Sequence, residues 1–145
     1  MKRDLGEEAV RKHYNISGTD FSVAGEASSD FKTLLKKLGI KPDIVRKVAI
    51  AMYEAEINTV VHGRGGECDA EVLDNCVKIV FTDHGPGIAN VELAMQEGYS
   101  TASETIRELG FGAGMGLPNI KKYTDSMKID TEVGKGTTVT LTVNL

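Results

Sequence analysis

Gly110-Phe111-Gly112-Ala113-Gly114-Met115-Gly116-Leu117-Pro118-Asn119 places glycine at every second position and then a proline. Glycine reaches backbone angles closed to other residues and carries no Cβ to hold a ligand away. Pro118 fits the first turn of a helix, where its missing N–H costs nothing. The stretch therefore reads as a backbone-rich loop feeding a helix N-terminus. Exposed N–H groups and the positive end of a helix dipole suit an anion, most often a phosphate. A plain glycine-rich surface loop has the same local pattern, so the rest of the chain must decide.

The 145 residues fit one domain, with a net charge of −4 and ordinary charged and apolar fractions. That charge gives no general affinity for nucleic acid. No apolar run is long enough to span a bilayer. The N-terminal 17 residues have early basic side chains but no hydrophobic segment, unlike a secretory signal. Cys68 and Cys76 match no zinc or redox spacing, and are expected as reduced thiols in a cytoplasmic protein.

Upstream of the glycine loop, a strand is expected within residues 9–16. A loop is expected over residues 20–27. A helix over residues 30–38, capped by Ser28 or Ser29, would carry Phe31, Leu34, Leu35 and Leu38 at helical spacing and stop at Gly39. Pro42 opens a second helix running to about His62. Val45, Val48, Met52, Ala55 and Thr59 form its core stripe. Glu54 and Asn58 stand one turn apart on the adjoining face, a pairing that packing alone would not choose.

Strands are expected over residues 67–73 and 77–82, joined at Asp74-Asn75. Val77, Ile79 and Phe81 alternate onto one face, and Asp83 continues that parity towards the core, where an acid needs a partner. A short helix over residues 91–97, closed by Gly98, precedes an ambiguous polar segment at 99–109. A helix from Pro118 to about Asp125 follows the glycine loop. Two strands then span residues 127–132 and 137–145, turning at Gly134-Lys135-Gly136. Thr137, Val139, Leu141, Val143 and Leu145 share the inward parity. One sheet with helices on one face is the simplest arrangement, a two-layer α+β sandwich.

The spacings exclude two common phosphate sites. No segment has the Walker A order of Gly, four residues, then Gly-Lys-Ser/Thr. Met115 stands where a dinucleotide fingerprint beginning at Gly110 needs its third glycine. Four ordered segments fit another pattern: Glu54-Ala55-Glu56-Ile57-Asn58, Asp83-His84-Gly85-Pro86-Gly87-Ile88, the run from Gly110 to Leu117, and Gly134-Lys135-Gly136-Thr137-Thr138. In these the chain resembles the GHKL superfamily of Bergerat-type ATP-binding proteins. Within it the chain is most similar to the small bacterial anti-sigma-factor serine/threonine kinases. Ala94-Met95-Gln96-Glu97-Gly98-Tyr99-Ser100-Thr101 is especially like the switch kinase of the stressosome pathway.

The resemblance implies a Bergerat fold over residues 1–145, with a mixed, mostly antiparallel sheet. It implies ATP or ADP as ligand and Mg²⁺ as cofactor. Glu54 would be the general base, Asn58 the Mg²⁺ ligand, and Asp83 the acceptor of the adenine amino hydrogen. Gly87 would let the base approach the backbone, and Thr137 would support the adenine contact. Gly112, Gly114, Met115, Gly116 and Leu117 would wrap the triphosphate, with Ser100 and Thr101 lining the lid. Some relatives carry an Arg late in the lid and a Lys after the Ser/Thr pair. Here Gly112-Ala113-Gly114 and Ala102 occupy those places, leaving Arg107 as the obvious cation.

The implied activity is ATP-dependent protein serine/threonine kinase action with partner switching. The implied partners are a small antagonist domain, a sigma factor or another regulator, and a second copy in a dimer, with no direct nucleic-acid or membrane contact. A nucleotide-responsive binding module without phosphoryl transfer, and the catalytic half of a split histidine kinase, are the alternatives. His62 and His84 are not assigned to chemistry, and Lys121 and Lys122 read as a solvated face.

Overall fold

The computed structural model describes residues 10–96 and 116–145. Its central strand, β3 (Cys76–Asp83), turns Val77, Ile79 and Phe81 inwards, all essentially fully buried. It pairs antiparallel with β2 (Gly66–Val72) on one side and β5 (Gly136–Asn144) on the other. β1 (Val10–Ile16) lies outside β2, and β4 (Ser126–Glu132) outside β5, giving the order β1-β2-β3-β5-β4. The mostly antiparallel sheet stands as expected, and every pairing among the described residues is antiparallel. The β2–β3 and β4–β5 links are hairpins, and connections that short join only antiparallel strands.

Four helices are described: α1 (Glu26–Lys37), α2 (Pro42–Val61), α3 (Val91–Ala94) and α4 (Gly116–Lys122), with a 3-10 turn at Phe21–Val23. α2 packs on β1, β2, β3 and β5, with α1 and α4 beside it, so the layers are one sheet and one set of helices. The stripe of Val45, Val48, Met52, Ala55 and Thr59 is buried. Phe31 and Leu35 of α1 are completely enclosed. Burying each such apolar side chain contributes roughly 1.5–3 kcal/mol.

The differences from expectation have local causes. α1 starts at Glu26, four residues before Asp30, and neither Ser28 nor Ser29 is its cap. Gly25 holds the cap position in the left-handed region (φ 98°), with no side chain to cap the helix. α3 ends at Ala94, and Asn90 Oδ1 caps it by accepting from Leu93 N at 3.0 Å. α4 is described over Gly116–Lys122 and includes Pro118, and the residues before Gly116 lie outside the described ones. Leu145 lies past the end of β5 and is exposed, unlike its inward neighbours of the same parity. The ambiguous segment and the glycine loop up to Met115 lie outside the described residues.

Candidate functional site

Asp83 closes β3 on the inward parity that buries Phe81 two residues earlier. Its Oδ1 accepts two backbone N–H groups, from Gly85 at 2.9 Å and Thr137 at 3.2 Å. The antiparallel register sets Thr137 directly opposite Asp83. With Oδ1 so engaged, Oδ2 is the oxygen left to meet a ligand donor. It faces Gly63, just past the end of α2, where a Cβ would lie 2.5 Å from Oδ2 and 2.6 Å from Cγ. The close seat of the carboxylate against the end of α2 therefore depends on Gly63 having no side chain. Gly63→Ala is expected to push the carboxylate aside and cost about 1–3 kcal/mol of stability. ADP titration of the folded variant should show at least ~10-fold weaker binding, since ~1.4 kcal/mol is tenfold.

Thr131 ties this corner together. Its Oγ1 accepts from Ile88 N at 2.8 Å and lies 2.9 Å from Thr137 Oγ1 and 3.2 Å from Gly136 O. One side chain on β4 thus links the loop after Asp83 to β5. Gly87 is required here by the protein's own packing. Its φ is +76°, and a Cβ would sit 2.4 Å from Glu132 O. Gly134 N donates to Pro86 O at 2.9 Å, locking the β4–β5 turn onto the same loop.

Glu54 and Asn58 lie on α2, one turn apart. Burial pushes the half-buried Glu54 carboxyl above its ordinary value. Asn58 O accepts from His62 N and Gly63 N at the helix end. Its side chain meets the start of α4, where a Cβ on Gly116 would lie 2.7 Å from Oδ1 and 2.9 Å from Nδ2. Asp83 and Asn58 therefore each pack against a glycine whose missing Cβ lets the side chain come close. With a rise of 1.5 Å per residue, Gly63 and Glu54 are separated by roughly 13 Å along α2. That axis offers one end for a base and the other for phosphates. An Asn carbonyl oxygen is a suitable hard ligand for Mg²⁺ alongside phosphate and water oxygens. The donor set fits a nucleotide with its metal.

Gly116 and Leu117, at the start of α4, are brought to this end, while Ser100, Thr101, Gly112, Gly114 and Met115 lie outside the described residues. Arg107 and Ala102 lie outside them too. His62 caps α2, and burial pushes its imidazole pKa down against the opposing pull of Asp83. His84, Lys121 and Lys122 are exposed. Sequence reasoning did not single out Gly63, Thr131 or Glu56. Gly63 follows the expected helix end at about His62 without any signal of its own, and the strand pattern around Thr131 carried none either. Glu56 did have one: it is an acid on a helix otherwise apolar at that azimuth.

This arrangement of an antiparallel sheet, one layer of helices and an Asp–Gly corner facing a Glu–Asn helix is that of an ATP-binding domain of the histidine-kinase type. The family described as "Histidine kinase-like ATPase domain" matches residues 20–143, and the chain belongs to it. It is accordingly a nucleotide-binding domain. Among curated relatives, the "Anti-sigma F factor" of Clostridium acetobutylicum is 32% identical over 135 residues, covering 90% of this chain and 85% of its own. The "Anti-sigma F factor" of Bacillus velezensis is 30% identical over 151 aligned residues, covering 100% and 94%.

Two solved structures share the fold. One holds the RsbU and RsbW domains of Rv1364c from Mycobacterium tuberculosis (TM-score 0.62, 18% identity, 92% of this chain and 32% of that longer one). The other is the SiaB–SiaC complex from Pseudomonas aeruginosa (TM-score 0.57, 11% identity, 91% and 88%). Among the described residues no helix is long and apolar enough to cross a membrane.

Proposed function

We propose that this domain is an ATP-dependent protein serine/threonine kinase of the anti-sigma-factor type, acting in the cytoplasm on transcription by switching between protein partners. The observation that carries the reading is the convergence on α2. The Asp83 carboxylate packs on Gly63 just past its end, Asn58 packs on Gly116, and Glu54 lies one turn from Asn58 on the same helix. Asp83 would take the adenine amino hydrogen. Asn58 would hold Mg²⁺, which when bound neutralises charge on the transferring phosphate. Glu54 would accept the proton of the attacking hydroxyl, a task favoured by burial raising its carboxyl pKa above the ordinary value. Gly116 and Leu117, with Gly112, Gly114 and Met115, would direct backbone N–H groups at the phosphates, and Ser100 and Thr101 would line the lid. Thr137 supports the base through Asp83, to which its N–H is bonded.

The name of the relatives, anti-sigma F factor, supports a sigma factor as partner; a small antagonist domain and a second copy of this chain complete the proposed set. The test is transfer of label from [γ-³²P]ATP to small antagonist proteins encoded beside this one. An acid-stable phosphoserine or phosphothreonine is expected. An acid-labile phosphohistidine would make the chain half of a split histidine kinase. Nucleotide-dependent complexes that never become labelled would make it a binding module. Either result overturns the proposal.

A further inference from the structure

Glu56 is a carboxylate inside the core, 2% exposed, on the same helix as Glu54 and Asn58 but two residues from each. At 100° per residue, two residues place it on the side of α2 roughly opposite both. Its Oε2 accepts from Gly25 N at 2.9 Å and Ala27 N at 3.2 Å, and its Oε1 accepts from Ser28 N at 2.9 Å. These are N–H groups of the first turn of α1, which have no partner within their own helix. Gly25 brings no side chain to cap them. Glu56 therefore caps α1 from another helix, about a fifth of the chain away in sequence.

A burial of this kind is costly unless the charge is well bonded, and an apolar side chain would fill the space at lower cost. What an apolar side chain cannot do is fix direction. Three donors on two oxygens clamp the carboxylate, and through it the rotation of α2 about its axis. Glu54 and Asn58 ride on that rotation. At a side-chain radius of ~5–6 Å, a turn of ~20° displaces their ends by ~2 Å. Misplacement by ~1 Å at a reacting centre can cost ~100-fold.

We propose that Glu56 is the positioning residue of this site, holding α2 at the rotation that aims Glu54 and Asn58 at the nucleotide phosphates. The inference rests on the reading of those two residues given above. Its effect should be confined to the phosphate end, because Asp83 is held by β5 and its own loop.

The test compares Glu56→Gln with Leu35→Ala, which loosens the α1 core without touching the clamp. Nucleotide affinity is measured by calorimetry with and without Mg²⁺, and melting temperature and backbone hydrogen exchange at Ala27 and Ser28 are followed in parallel. Glu56→Gln is expected to lower the melting temperature, speed exchange at both amides and cut the Mg²⁺-dependent gain in ATP affinity at least ~10-fold, leaving Mg²⁺-free ADP affinity within ~3-fold. Leu35→Ala should lower the melting temperature and keep the Mg²⁺-dependent gain. If Glu56→Gln keeps that gain, or the two variants lose it alike, Glu56 is a structural cap and the proposal fails. Should Glu56→Gln not fold, Glu56→Asp, with its charge kept and its reach shortened, is read in the same way. A wild-type protein with no Mg²⁺-dependent gain would remove the role of Asn58, and the positioning role with it; fast exchange at Ala27 and Ser28 in the wild type would remove the clamp alone.

Discussion

Asp83→Asn is expected to weaken ADP binding by about 100-fold or more while leaving the fold intact. The two oxygens of this carboxylate have separate tasks. Oδ1 accepts from Gly85 N and Thr137 N, and an asparagine oxygen can take over both bonds. The amide nitrogen then falls where Oδ2 stood, beside Gly63. There a donor would face the adenine amino group, which is also a donor. Losing a charge-assisted hydrogen bond costs about 1.5–3 kcal/mol, and opposing two desolvated donors adds to that. A total near ~3 kcal/mol corresponds to about two decades in affinity. Calorimetric titration with ADP reads the loss, and an unchanged far-UV spectrum and melting temperature show that the loop and β5 are still joined.

Glu54→Gln separates chemistry from binding. A positioned general base contributes typically ~10²–10⁴-fold, so phosphoryl transfer should fall by that range. ADP affinity should stay within ~3-fold, because the adenine end lies roughly 13 Å away along α2. The same substitution should raise the melting temperature of the nucleotide-free protein at pH 7. Burial raises the folded-state pKa of Glu54. A carboxyl raised in this way binds its proton more tightly folded than unfolded. Its contribution to stability is complete below the unfolded value near 4.5 and is lost as pH rises through the folded value. Glutamine removes that loss. The stability gap between variant and wild type should therefore be present at pH 7 and close below about pH 4. A variant that transfers phosphate at the wild-type rate would remove Glu54 from the mechanism.

How much of this was legible beforehand follows from how far each interaction reaches along the chain. The α2 stripe and the inward parity of Val77, Ile79, Phe81 and Asp83 are set by helical and strand periodicity, and both stand as expected. The start of α1 was not legible, because its cap comes from Glu56 on another helix. No local pattern around Gly25 announces it. Gly87 was expected to make room for a ligand, yet its positive φ and the nearby Glu132 carbonyl show that the β4–β5 turn already requires glycine there. Thr131 looked like any β-branched strand residue until the fold brought Ile88 N to its hydroxyl. The antiparallel pairing of β2–β3 and β4–β5 follows from hairpins whose turns were recognised, whereas β1–β2 and β3–β5 join strands far apart in sequence, and the sheet was expected to be mixed, mostly antiparallel.

The adenine corner is what every other assignment depends on, and base discrimination tests it most directly. Inosine diphosphate differs from ADP at the base position that Asp83 Oδ2 would meet, carrying a carbonyl in place of the amino group. Wild-type protein is expected to bind ADP at least ~100-fold more tightly than inosine diphosphate, since a carboxylate would then face an oxygen. Asp83→Asn, with an amide donor in that place, should erase or reverse the preference. Equal binding of the two nucleotides by the wild type, or a preference for ADP that survives Asp83→Asn, would contradict the account.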